Sequence, residues 1–88
     1  MPTISMFYGI LIRMYCGARE HRPPHVHALY GDEAAVFGII DSEQIEGGLP
    51  TPQRKLVEAW ISLHRDELLA DWVLAESGEL PFRIDPLR

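Results

Sequence analysis

Apolar and polar side chains alternate along residues 9–16, with Ile10, Ile12, Met14 and Cys16 on one side and Leu11, Arg13 and Tyr15 on the other. A period of two predicts a strand, here one whose two faces are both partly apolar. Gly17 ends it, and residues 18–24 read as a loop in which Pro23 and Pro24 forbid helix and hold the chain extended. Residues 25–30 form the next predicted strand, Gly31-Asp32 a turn, and 34–40, rich in Val, Phe and Ile, a third strand. A short strand over 42–46 stops at Gly47-Gly48. The connections are too short for crossovers, so the strands follow one another as an antiparallel meander.

Beyond residue 50 the period changes. Thr51 can cap a helix, and Pro52 suits its first position, where a missing N–H costs nothing. Leu56, Val57, Trp60, Leu63 and His64, then Leu68, Trp72 and Ala75, recur at three- and four-residue spacing until Ser77-Gly78. One helix over 52–77 would be about 39 Å long. A compact domain of this size has a radius of gyration of about 12 Å. A bend or break is therefore expected near 64–66, with Asp66 and Glu67 opening a second helix. On a straight helix Trp60 and Trp72 lie about 120° apart, so one of them is expected to face a partner. His64 is expected to pack against Trp60. The last stretch, 81–87, either adds an edge strand or lies over the sheet, since its prolines argue against a central strand. The fold class is α+β: a small antiparallel meander of three to four strands packed by one bent or two C-terminal helices. It reads as a single domain over 1–88, with a sheet part (1–47), a helical part (51–78) and a tail (79–88).

An 88-residue chain that is 47% hydrophobic can build one core, with a thin margin that a dimer or a partner would widen. The lone Cys16 excludes an internal disulfide and a cysteine zinc cage, and reads as a small buried hydrophobe in a reducing compartment. No run approaches a membrane span, and Arg13 interrupts the first apolar stretch, so neither membrane insertion nor a signal peptide is expected. The net charge of −5 argues against generic nucleic-acid binding. The charge is unevenly spread. Arg13, Arg19 and Arg22 against Glu20 leave residues 1–31 at +2, whereas residues 32–80 carry three basic and eleven acidic side chains.

Chemistry concentrates in His21-Arg22-Pro23-Pro24-His25-Val26-His27. Residues two apart on a strand share a face, which sets His25 and His27 side by side about 6.6 Å apart at Cα. Two imidazoles so placed can converge on a divalent metal, with His21 as a third ligand and Asp32, Glu33 or His64 as further donors. The same residues support metal-free acid–base chemistry, with Arg13, Tyr15 or Arg22 stabilising a phosphate. Beside both stands the plain reading that the two rings are half-buried strand residues oriented by backbone carbonyls.

The opening Met1-Pro2-Thr3-Ile4, Phe7-Tyr8-Gly9-Ile10, Ile12-Arg13-Met14-Tyr15 and, above all, Pro23-Pro24-His25-Val26-His27-Ala28 with Tyr30-Gly31 resemble short bacterial proteins of domain-of-unknown-function family 4160. The run Trp60, Leu63 to Leu69 and Trp72, with Ile84 and Pro86-Leu87, is similar too. The resemblance implies a cytoplasmic bacterial protein and a partner: another short protein encoded beside it, in an arrangement like a toxin–antitoxin pair. It implies no activity, cofactor or catalytic residue. The leading expectation is thus a protein-interaction module that binds a cognate small protein and self-associates. The alternative is a histidine-based or metal-dependent phosphodiester hydrolase centred on His25 and His27. DNA binding through the basic end ranks third.

Overall fold

The computed structural model describes residues 2–16 and 23–88. Five strands and two helices follow in chain order: β1 (Thr3–Phe7), β2 (Ile10–Arg13), β3 (His25–Tyr30), β4 (Glu33–Gly38), β5 (Gln44–Gly47), α1 (Thr51–Leu63) and α2 (Arg65–Glu76). The sheet order is β1-β2-β3-β4-β5, every neighbouring pair antiparallel. The α+β class and the meander are as expected. The addition is β1, paired to β2 through a two-residue hairpin whose Tyr8 and Gly9 both have positive φ, 49° and 78°. That geometry suits the right-handed twist of the flanking strands.

Register decides what each face carries. Ile12 pairs with Ala28, Ala28 with Ala35, and Val26 with Phe37; all of them are buried. This face meets Val57, Trp60, Ile61, Leu68, Trp72 and Ala75 of the two helices in one hydrophobic cluster. The opposite face carries Leu11, Arg13, His27, Leu29 and Val36. A bulge between Thr3 and Ser5 interrupts the β1–β2 register, and Ile4 and Ser5 are both buried.

The helical region breaks where its length required. His64 (φ −116°, ψ 24°) ends α1 and precedes α2, its N–H still donating to the carbonyls of Trp60 and Ile61. Asp66 and Glu67 occupy the first turn of α2, where the helix dipole favours negative charge. The fold is compact, with a radius of gyration of 11.7 Å. Two expectations are corrected. Thr51 is the first helical residue rather than the cap, and Pro50 precedes it without a side-chain capping bond. Trp60 and Trp72 are both buried, at 0% and 7% exposure, because the break at His64 resets the helical phase and turns both indoles inward. His64 does pack on Trp60, with ring centroids 5.6 Å apart, and its Nδ1 meets Glu67 Oε1 at 2.7 Å.

Residues 79–88 lie against the domain without forming a strand. The Glu79 N–H donates to the Leu74 carbonyl (2.9 Å), and three further hydrogen bonds fasten residues 82–85. The Phe82 N–H donates to Asp71 Oδ1 (2.9 Å), the Ile84 N–H to the Ile4 carbonyl (2.8 Å), and Trp60 Nε1–H to the Asp85 carbonyl (2.8 Å). Pro81 and Ile84 turn inward while Leu80 and Phe82 point out. Cys16 is half-buried rather than sealed in the core. Among the described residues, no helix is long and apolar enough to cross a membrane.

Candidate functional site

The two histidines of β3 do share a face. His25 and His27 have ring centroids 5.3 Å apart, and the row continues in both directions. Tyr15 meets His27 edge-on at 4.3 Å, and Trp72 of α2 packs on His25 at 5.0 Å. Four rings thus run Tyr15–His27–His25–Trp72. The row begins just past the end of β2, crosses the first turn of β3 and ends on α2.

Local sequence explains how His25 is held. The Pro24 carbonyl accepts the Ile39 N–H (2.9 Å), extending the β3–β4 ladder past its formal end. The Pro23 carbonyl lies 3.0 Å from His25 Nδ1. A carbonyl only accepts, so Nδ1 carries the proton in this contact, and in the neutral ring Nε2 keeps the lone pair. Across the ladder His25 faces Gly38. A Cβ on Gly38 would come within 2.7 Å of Asp41 Oδ1, so the missing side chain makes room for that carboxylate. His25 is buried and His27 half-buried.

Arg13 pairs directly with His27 across β2 and β3, and Tyr15 lies two residues further along the same face. Arg13 is half-buried, and its Nε is fully buried with no hydrogen-bond acceptor among the described residues. The candidates His25, His27, Arg13 and Tyr15 therefore come together. His21 and Arg22 lie outside the described residues. The suggested extra metal ligands do not converge. Asp32 and Glu33 sit exposed at the far end of the β3–β4 hairpin, where Glu33 pairs with Tyr30, and His64 is committed to Glu67 at the helix junction. Among the described residues no three His, Cys, Asp or Glu side chains are grouped so as to hold a metal ion. Next to the row, His27, Leu29, Val36, Glu46 and Gly47 line a shallow groove of about 210 Å³ on the sheet face opposite the helices.

Asp71 was not anticipated. It is 3% exposed, Oδ1 accepts the Phe82 N–H, and Oδ2 is buried with no partner. Burial pushes its carboxyl above the ordinary carboxylate range; the Phe82 N–H partly offsets this, and the negative charge of Glu67 adds to it. The signal was available in the spacing. Asp71 falls three residues after Leu68 and four before Ala75, inside the buried stripe of α2. The contact between Trp72 and His25 had no such local signal.

These features define a class: a small α+β domain with helices on one sheet face and an imidazole, phenol and guanidinium group on the other. The chain belongs to the family Domain of unknown function (DUF4160), whose model matches residues 9–73. Arg13, Tyr15, His25, His27 and Trp72 lie within that span, and Leu80 and Phe82 lie beyond it. No curated protein and no solved structure matches the chain.

Proposed function

We propose that this chain is a protein-interaction module, one member of a toxin–antitoxin-type pair that binds a cognate small protein in the bacterial cytoplasm. One observation carries the reading: the fastened tail holds Leu80 and Phe82 outward at 74% and 73% exposure. A loose tail exposes apolar side chains by default, whereas hydrogen bonds at Phe82's own N–H and at Ile84 and Asp85 just after it fix the exposed phenylalanine in place at an entropic cost. Preordered aromatic anchors are what interfaces use, because less freedom is lost on binding. The resemblance to proteins encoded beside a second short protein supports a dedicated partner, and self-association would use the same apolar side chains.

The test is purification of the tagged protein from its native host, beside a Leu80→Asp, Phe82→Asp variant. A stoichiometric partner, held by the wild type and lost by the folded variant, is the expected result. A wild type recovered only as a lone monomer would sink the reading.

A second reading rests on the ring row. His27, half-buried, and His25, buried beside it, supply an acid–base pair, with Tyr15 and Arg13 adjacent, as histidine-based hydrolysis of a phosphodiester requires. Its metal-dependent form is the weaker, for want of a third ligand among the described residues. RNA cleavage by the wild type, abolished in a His25→Ala, His27→Ala variant, is the expected outcome. RNA left intact by the wild type removes this reading.

A further inference from the structure

The two edges of the sheet are finished differently. β1 is closed by the tail, whose Ile84 N–H donates to the Ile4 carbonyl (2.8 Å), and Pro86 two residues on has no N–H to offer. β5 is the opposite edge, and among the described residues no further strand pairs with it. Its outward groups follow from the ladder. The Glu43 carbonyl accepts the Gly38 N–H (2.8 Å) and the Gly48 N–H donates to the Ala34 carbonyl (3.1 Å), so both residues address β4. Successive residues of a strand direct their backbone groups to opposite sides, which turns Gln44 and Gly47 away from β4.

One side chain lies along that edge. Gln44 Nε2–H donates to the Gly47 carbonyl and the Leu49 N–H donates to Gln44 Oε1, both at 3.2 Å. A carboxamide carries the donor and the acceptor of a peptide group. Gln44 thus makes to Gly47 and Leu49 the two bonds that a sixth strand would make, and it does so with a side chain that swings aside while the backbone stays in place. Next to this edge Leu29, Ala34, Val36 and Gly47 form the apolar part of the shallow groove, and Gly47 puts no side chain between groove and edge. Ile45, the unpaired residue of the β4–β5 irregularity, is 49% exposed on the same strand.

Charge says what fits there. Residues 32–53 hold Asp32, Glu33, Asp41, Glu43 and Glu46 and no lysine or arginine. From α2, Arg65 reaches this segment at Ile39 and Ser42, at the end away from Gly47. A second copy paired edge to edge would set these acids against their own counterparts, which strand pairing disfavours. A lysine or arginine instead lays its apolar stem along the groove and its charge among the carboxylates. We propose that the β5 edge is a strand-acceptor site for a basic, extended segment of a partner protein, with the Gln44 carboxamide as its removable cover. Backbone bonds supply the affinity, and the groove and acids the selectivity. The site is distinct from Leu80 and Phe82, whose tail is fastened to the opposite edge, so either surface can fail its test without the other.

The experiment is an NMR titration of the isotope-labelled protein with a blocked eight-residue peptide of alternating lysine and valine. Its comparison arms are the glutamate–valine counterpart and a lysine–valine peptide N-methylated at its four central amides, which leaves neither peptide edge a donor there. The lysine peptide is expected to give saturable shifts at the Gln44, Ile45, Gly47 and Leu49 amides and at the Gln44 carboxamide, and none at Met6 on β1. The glutamate peptide should bind at least about fivefold more weakly, since like charges then face each other across the new pair. N-methylation should abolish binding, because the main-chain bonds carry it. Gln44→Ala removes the cover and should tighten the lysine peptide by about threefold to tenfold, the worth of hydrogen bonds that no longer have to be displaced. Equal affinity for the lysine and glutamate peptides, binding that survives N-methylation, or shifts that fail to saturate or centre away from β5 would overturn the assignment. So would a folded Gln44→Ala protein that binds no more tightly than the wild type, or that dimerises in sedimentation in place of binding, since the edge would then take a second copy. The peptide arms use the unaltered protein and decide the question even if Gln44→Ala fails to fold.

Discussion

Gly47 and Gly78 share a backbone conformation and differ in what surrounds them, which makes them a matched pair. Their φ angles are 72° and 80°. A Cβ at Gly78 would meet nothing within 4 Å, whereas one at Gly47 would lie 2.2 Å from the Ala34 carbonyl oxygen and 3.0 Å from Ala35 Cα. Gly78→Ala should therefore cost only the left-handed penalty of about 1–2 kcal/mol, reduced by about 0.4–1 kcal/mol because alanine restricts the unfolded chain. Gly47→Ala carries the same term plus a collision with backbone, which no rotamer change relieves. Strand β5 must move off β4, giving up the Gly48 N–H bond to the Ala34 carbonyl (3.1 Å) and neighbouring pairings. Two or three such bonds at about 1 kcal/mol each bring the total to about 2–5 kcal/mol. Urea unfolding followed by the fluorescence of Trp60 and Trp72 measures both. In thermal terms the expected losses are about 5 °C for Gly78→Ala and more than about 8 °C for Gly47→Ala. If the two variants fell within about 0.5 kcal/mol of each other, close backbone approach at Gly47 would not be what requires glycine.

Three further outcomes follow from single contacts. Arg65 donates from Nε to the Ile39 carbonyl and from its terminal nitrogen to Ser42 Oγ, tying α2 to the end of β4; Arg65→Met should cost about 2–3 kcal/mol in urea unfolding. His25→Phe keeps a ring against Trp72 but loses the bond to Pro23, so it should cost about 1 kcal/mol, while His25→Ala, which also empties the space beside the indole, should cost about 3 kcal/mol. Trp60→Phe removes the donor to Asp85 and should speed hydrogen exchange at the Ile84 amide beyond any change in β3.

Residues whose partners lie within one period were legible in advance. Period two put His25 and His27 on one face, and a helix too long for the domain had to break near His64. What escaped depends on departures from period. Ile4 and Ser5 both turn inward at the bulge, which erases the alternation that would have announced β1. The β1–β2 hairpin turns on Tyr8 at φ 49°, a residue that carries no turn signal. At the site, the face was readable and the neighbours were not. Arg13 faces His27 because of a register set across the whole sheet, and Trp72 reaches His25 from another element. Asp71 is the instructive case, because a charged residue in an acidic helix reads as solvated unless its position in the apolar stripe is given more weight than its type.

That buried carboxyl fixes the sign of a pH dependence. An unfolded aspartate titrates near about 3.9, and in the folded protein burial raises Asp71 above this, with Glu67 adding to the shift and the Phe82 N–H opposing it. Between the two values the folded state holds more proton than the unfolded state, so stability falls as pH rises. The contribution is complete below the unfolded value and lost once pH has passed the folded one. A single site limits the slope to about 1.4 kcal/mol per pH unit. Asp71→Asn keeps an oxygen for the Phe82 N–H and cannot ionise, so it should gain on the wild type as pH is raised from about 3.5 to about 7, whatever offset separates them in acid. Glu67→Gln removes one cause of the shift and should move the wild-type decline to lower pH. Urea midpoints across that range give the difference directly. A stability difference between wild type and Asp71→Asn that stayed level with pH, or ran the other way, would mean that the Asp71 carboxylate is solvated and that the tail does not cover it.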